Sequence, residues 1–411
     1  MMKTNDQGER QRFRERLHTL SAHSGTVTGA DSGVVAGTPP LVNPIYQASV
    51  FTFQDLDKVD KAMSGKEGYV YSRLANPNSE GLAADIRILE GAEDARVFAS
   101  GLGGIYTSLG ALLEAGDHVV AARELYGGTY RIFNEEMPRH GIEVDMVDTA
   151  DLEAVERAFR PTTKLVYTET ISNPTMGVAP LSGLAELAHA GRALLMVDNT
   201  FASPVVCRPL ELGADVVVES ATKYLSGHGD VLGGVVAGSK EAMERVRSAS
   251  VMTGATLDPF AAWLIARGVR TLALRMERHC SSAKTVARWL VGRNEVGEVY
   301  YPGLDTHPQH AVASEMFAGL YGGMLSFVVP GGLEGAQRFI DGLELITFAP
   351  SLADVTTTIT HPALTSHRDI PAEQRRKLGI EDGLIRLSVG IESPIDILTD
   401  LEAGLAKALE G

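Results

Sequence analysis

The sequence predicts an α/β protein, a mostly parallel sheet covered by helices on both faces, followed by a smaller α+β domain. Three observations carry this expectation. From about residue 80, β-branched apolar runs alternate with helix-length stretches, the pattern of parallel strands joined by crossover helices. Near residue 250 that alternation gives way to a helical stretch and then to a mixture of strands and helices. The length, 411 residues, exceeds what one hydrophobic core usually organises. We divide the chain into an N-terminal segment (1–65), an α/β domain (66–265) and a C-terminal α+β domain (266–411).

The first segment is irregular. A charged piece, residues 9–20, is expected to be helical and leads into "SGVVAGTPPLVNPIYQAS". That stretch is too rich in Gly and Pro to form a compact unit, so it lies along the body of the protein or clasps a neighbouring subunit. "ARVFAS" then reads as a strand and "GLGGIYTSLGALLEAG" as a helix closed by Gly116. "DHVVAAREL" is a strand and "GTYRIFNEEMPRHG" a helix ended by Gly141. "KLVYTET" and "ALLMVDNTF" are apolar strands flanking the helix "SGLAELAHAG", followed by the strands "ADVVVESATK" and "GGVVAG". A break is expected over residues 250–260, and a helical stretch "WLIARGVRTLALRMERHCSSAKTVARWL" runs on to about residue 291. In the remainder, "GGMLSFVV" and "GLIRLSVGI" read as strands, and a last helix starts with Ser393 as N-cap and Pro394 in its first turn.

Composition removes several classes of function. A formal charge of −15 argues against nucleic acid and anionic membranes as partners. No run approaches 18 apolar residues, so no membrane span is expected. "MMKTNDQGERQRFRER" lacks the apolar core of a signal peptide. Two cysteines, Cys207 and Cys280, form no disulfide framework and no metal-binding pattern; with the missing signal peptide they point to a cytoplasmic protein without a metal.

Ligands of open α/β sheets sit beyond the carboxyl ends of the strands, and four groups stand there. In "ASGLGG", Ser100 ends a strand and Gly101 opens a helix, which is either a phosphate site or a glycine turn with a capping serine. In "MVDNTF", Asp198 ends an apolar strand, where a carboxylate either caps the next turn or meets a cation such as a protonated pyridine nitrogen. Ser220 and Thr222 stand two apart, so an extended backbone would put both hydroxyls on one side and turn Lys223 to the other. In "GYVYSRLANPN", Tyr71 and Arg73 are also two apart: a pair sharing an anion, or a solvated surface pair. Together these groups specify a phosphate cradle, a ring-nitrogen partner and a lysine, which is what pyridoxal 5′-phosphate requires.

From "YSRLANPN" through "ASGLGG", "LYGGTY", "ISNPTMGV", "VDNTFASP", "SATKYLSGHGD", "MTGATLDP" and "THPALTSH" to "LIRLSVGIE", the chain resembles the Cys/Met-metabolism pyridoxal-phosphate (trans-sulfuration) enzymes. Cystathionine γ-synthase, cystathionine γ-lyase, methionine γ-lyase and the O-acylhomoserine sulfhydrylases belong to that family. The resemblance implies the aspartate-aminotransferase-like fold (fold type I), with 66–265 binding the cofactor and 1–65 clasping a neighbouring subunit. It implies that Lys223 holds pyridoxal 5′-phosphate through a Schiff base and shuttles protons, and that Asp198 partners the pyridine nitrogen. Gly101 and Leu102 amides with Ser220 and Thr222, and with Ser100 beside them, resemble the phosphate cradle, completed by Tyr71 and Arg73 from an adjacent subunit. Tyr126 matches the tyrosine that stacks on the ring and acts in acid–base steps, and Arg386, with Asn173 and Ser351 close by, matches the arginine for the substrate α-carboxylate. The family's usual state, a homo-oligomer made of two dimers with shared sites, acts on small amino acids.

Three positions bear on the reaction. Gly128 stands where methionine γ-lyases usually carry a cysteine, and in "FAPSLAD" Pro350 replaces the glutamate usual in cystathionine-processing members, with Ala353 in place of a glycine. The expectation is γ-elimination from a thioether amino acid, giving 2-oxobutanoate, ammonia and a thiol; the alternative is γ-replacement on an O-acetyl- or O-succinylhomoserine. His228 is expected to shape its loop, His361 and His367 to be ordinary loop residues, and Cys207 to be structural.

Overall fold

The structure, a computed structural model, describes residues 16–25, 40–65, 67–368 and 371–410. Most of "SGVVAGTPP" and the first half of the expected N-terminal helix lie outside these; residues 16–22 are helical.

Seven strands form the central sheet: β1 (Asp94–Phe98), β2 (His118–Ala122), β3 (Glu143–Val147), β4 (Thr163–Glu169), β5 (Leu194–Asp198), β6 (Val216–Glu219) and β7 (Gly234–Gly238). Their order is β1-β7-β6-β5-β4-β2-β3. All pairings from β6 to β3 are parallel, whereas β7 runs antiparallel to both β6 and β1. The fold class stands as expected, and the single reversed strand has a local cause. No crossover helix joins β6 to β7, only the turn that carries Lys223, so the chain doubles back.

Alternate residues of the central strands enter opposite cores, which is why these strands read as continuous apolar runs. Val166, Leu195 and Val197 face one cluster, with the helices Pro77–Glu90, Leu181–Ala190 and Leu272–Val291. Leu165, Tyr167 and Met196 face the other, with the helices Gly101–Leu112 and Lys240–Thr253. A second sheet, of β8 (Val299–Tyr300), β9 (Met324–Val328), β10 (Thr347–Phe348), β11 (Thr358–Thr360) and β12 (Leu384–Ser388), has the order β10-β11-β12-β9-β8. Its antiparallel centre places Thr360 of β11 opposite Arg386 of β12.

Several expectations need correction. The helix Gly101–Leu112 ends at Leu113, with Gly116 (φ 96°) in the turn beyond. The helix after Tyr126 contains a π-helical stretch, Ile132–Glu136. β3 was not read from the sequence, because Glu143 and Asp145 dilute an edge strand whose residues are at most half-buried. The helix Lys240–Thr253 runs into the expected break and stops at Gly254 (φ 70°). The long helical stretch is two helices, Pro259–Val269 and Leu272–Val291, parted at Arg270 and Thr271. Ser393 does occupy the N-cap of the last helix, but its side chain makes no capping bond. Among the described residues no helix is long and apolar enough to cross a membrane.

Candidate active site

A cavity of about 540 Å³ opens at the carboxyl ends of β4, β5 and β6, closed from the other side by the second sheet. Ser100, Gly101, Leu102, Tyr126, Asn173, Asp198, Ser220, Thr222, Lys223 and Arg386 all line it. Ser100 is the N-cap of its helix and accepts the Gly103 amide at 3.0 Å, which leaves the first-turn N–H groups of Gly101 and Leu102 without helical partners. Gly101 allows a close approach: a Cβ there would stand 3.0 Å from the Cα of Ser220, so the Ser220 backbone would have to give by a few tenths of an ångström. The capping and anion-site readings of this turn are therefore compatible.

The pleat argument for Ser220 and Thr222 does not hold. β6 ends at Glu219, and residues 221–226 form a turn. Both side chains reach the cavity through that turn, with the Thr222 hydroxyl donating to the Gly233 carbonyl and accepting from the Gly233 amide. Lys223 does not point away from them; its Nζ enters the same cavity and donates to Ser351 Oγ at 3.2 Å. Burial, and then the Arg386 charge, lower the Lys223 pKa to about 8.

Asp198 ends β5 and caps the next turn, accepting the Thr200 amide at 3.0 Å. Burial raises its pKa, and the Thr200 amide and hydroxyl pull it back. Across the register stands Glu169, only 6 % exposed, which accepts the Tyr126 amide at 2.7 Å. Burial, and then the neighbouring Asp198 charge, raise the Glu169 pKa well above the usual carboxylate range. Of the two adjacent carboxyls, Glu169 is pushed up the further, while the Thr200 hydrogen bonds offset part of the burial cost at Asp198. Sequence reading missed Glu169 although it ends a strand as Asp198 does; the rule that found one would have found both.

Arg386, on β12, is 4 % exposed and donates from Nη1 to Asn173 Oδ1 at 2.7 Å and from Nη2 to the Ser351 carbonyl at 3.4 Å. Its Nε is buried with no hydrogen-bond partner among the described residues, and burial lowers its pKa to about 10. Tyr126 is half-exposed at the cavity rim, not a core residue. Leu232, Pro350 and Leu352 form an uncharged part of the wall.

Tyr71 and Arg73 are not brought to this cavity. The Arg73 guanidinium lies 5.6 Å from the Tyr71 ring centroid and donates to the Val251 carbonyl at 2.8 Å, while Tyr71 is 43 % exposed. His228 bonds the Ser226 carbonyl within its own turn. His361 and His367 are buried outside the lining, and Cys207 is a buried thiol. Among the described residues no cluster of His, Cys, Asp and Glu suits a metal ion.

A family model described as Cys/Met metabolism PLP-dependent enzyme matches residues 25–406. The chain is 44 % identical to an L-methionine γ-lyase of Porphyromonas gingivalis, over 96 % of this chain and 98 % of that one. It is 42 % identical to an O-succinylhomoserine sulfhydrylase of Pseudomonas aeruginosa, over 88 % and 90 % of the two chains. Among solved structures it is similar to cystathionine γ-lyase from Lactobacillus plantarum complexed with L-serine, with a TM-score of 0.88, 38 % identity, and 95 % and 99 % of the two chains covered.

Proposed function

The chain belongs to the Cys/Met metabolism PLP-dependent enzymes, and from that premise we propose that it removes the γ-substituent of an uncharged thioether amino acid such as methionine. The products are a thiol, 2-oxobutanoate and ammonia, with one water consumed. The single observation that carries the reading is one cavity holding Lys223, Asp198 and Arg386 beside a wall, Leu232, Pro350 and Leu352, without charge.

The residues present fit pyridoxal 5′-phosphate. The Gly101 helix end, packed closely on Ser220, would take the phosphate with Ser220 and Thr222; Asp198 would face the ring nitrogen, and Lys223 the aldehyde carbon. When bound, this cofactor supplies an electron sink that makes the protons on the substrate's α- and β-carbons removable. Arg386 holds the α-carboxylate through a planar fork whose Nε stands unpartnered, and Asn173 fixes the fork's other edge. That grip directs the Cα–H bond at Lys223. With a pKa near 8, Lys223 is partly neutral at neutral pH and can accept that proton at Nζ. Tyr126, at the rim, donates a proton to the departing sulfur. The Thr200 amide and hydroxyl favour the charged form of Asp198, the form a protonated ring nitrogen needs, and the Asp198 charge in turn disfavours ionisation of Glu169.

In this reading residues 1–65 clasp a neighbouring subunit, 66–265 bind the cofactor, and 266–411 bring the arginine. Tyr71 and Arg73, exposed on their own chain, complete the partner's phosphate site, in a cytoplasmic assembly of two dimers. Product analysis tests the reaction. The cofactor-loaded protein is given methionine, homocysteine and cystathionine singly, then O-acetyl- and O-succinylhomoserine with and without cysteine or sulfide. 2-Oxobutanoate released from methionine without added thiol is the expected result. Thioether or homocysteine formation only from an ester plus thiol or sulfide would make the protein a γ-replacing transferase instead.

A further inference from the structure

Arg275 lies on the helix Leu272–Val291 and is 4 % exposed, yet among the described residues no carboxylate forms an ion pair with it. The Asp354 carboxylate acts on it only from beyond ion-pairing distance, and a buried cation is costly unless its donors are satisfied, so its hydrogen bonds carry the guanidinium. Nη1 donates to the Tyr224 carbonyl at 2.7 Å, and Nη2 to the Gly268 carbonyl at 2.8 Å and the Leu225 carbonyl at 3.4 Å. Nε donates to Thr271 Oγ1 at 3.1 Å, which steadies the guanidinium from its own helix. Tyr224 and Leu225 are the two residues after Lys223, and among the described residues their carbonyls have no other partner. Without Arg275 both would be orphaned inside the protein.

The surroundings are cut to admit this contact. A Cβ on Gly227 (φ 70°) would stand 2.0 Å from Arg275 Nη1, and a Cβ on Gly268 would stand 2.2 Å from the Ser226 carbonyl. Two glycines, one on the turn and one on the neighbouring helix, let the guanidinium and the turn meet.

We infer that Arg275 is the positioning residue for Lys223. By taking the two carbonyls that follow Lys223 it fixes the turn's height, and so the reach of Nζ into the cavity. This inference rests on Lys223 being the lysine that holds the cofactor. Arg275 touches neither substrate nor cofactor; it acts through the backbone of the turn.

The test uses full-length Arg275→Ala and Arg275→Lys, with Lys223→Ala as control. Two quantities are followed: kcat and KM for L-methionine, and the rate at which the visible band returns when pyridoxal 5′-phosphate is added to cofactor-stripped protein. The expected result for Arg275→Ala is a loss of at least about tenfold in kcat and in band-return rate, with KM within about threefold. Arg275→Lys, which keeps the charge and at least one donor, should recover part of both. A folded Arg275→Ala with unaltered kcat and band return would overturn the inference, as would a variant less stable but kinetically normal. If Arg275→Ala does not fold, Gly227→Ala drives a methyl into the guanidinium from the turn side and must reproduce the kcat loss; normal kinetics there would also overturn it. The control separates the two ideas: a band that forms normally in Lys223→Ala removes the role of Lys223 itself, whereas a band lost there with Arg275→Ala normal removes only the role of Arg275.

Discussion

An amine that loses its proton near pH 8, as burial and Arg386 make Lys223 do, reacts with an aldehyde over a different pH range from a solvated lysine. Schiff-base formation needs the neutral amine, so the rate at which stripped protein takes up pyridoxal 5′-phosphate should rise with pH to a midpoint near 8. Arg386→Met removes the nearby positive charge and should move that midpoint upward; a midpoint that stays put would show that Arg386 does not set it. This residue was legible in the sequence because its neighbours are chemically unusual for a strand end. Ser351, which accepts its hydrogen bond, and Arg386, whose charge lowers its pKa, lie 128 and more residues away, and only the resemblance to known enzymes pointed to them. Glu169 went unread because one carboxylate at a strand end, Asp198, already satisfied the argument.

Between elements, the helix Pro77–Glu90 and β6 meet through two carboxyls, Glu90 and Glu219, each 1 % exposed and facing one another. Burial raises both pKa values, so the folded protein retains protons that the unfolded chain gives up. Such groups stabilise fully below the unfolded value of about 4.3, and that stability is lost as pH climbs through the folded values. Glu219→Gln offers Glu90 a permanent donor and removes one titration. Its Tm should therefore gain on the parent's progressively as pH rises above the unfolded carboxylate value of about 4.3; a Tm difference independent of pH would contradict this. Helix and strand existence in this region was readable from periodicity and β-branched runs. Boundaries were less so: β6 looked continuous with Ser220 and Thr222, and only the glycine-rich chain after Lys223, which cannot cross the sheet as a helix does, decides that β7 runs back antiparallel.

For the molecule as a whole, the placement of Tyr71 and Arg73 outside their own cavity gives the shared-site reading a direct consequence. Lys223→Ala and Arg73→Ala subunits, each inactive alone, should regain about a quarter of wild-type activity when mixed through a dissociated state, because half the dimers are hybrids and each hybrid has one intact site. No recovery from subunits shown to have exchanged would place Arg73 in its own chain's site. What lay outside the reach of sequence pattern here is the join between the two sheets. Nothing in "LIRLSVGI" alone says that its arginine will face a lysine from another sheet.

That join has a mechanical side. Lys223 hangs from the central sheet and Arg386 from the second, and the Lys223–Ser351 hydrogen bond of 3.2 Å spans the gap between them. An amino acid gripped by both ends adds a clamp between two bodies that the Arg386–Asn173, Ser326–Pro174 and Val355–Gly227 hydrogen bonds already join. Its footprint should appear as slowed amide exchange along residues 350–366, on the far side of the gap from the lysine, and the slowing should vanish with an amine that lacks the carboxylate.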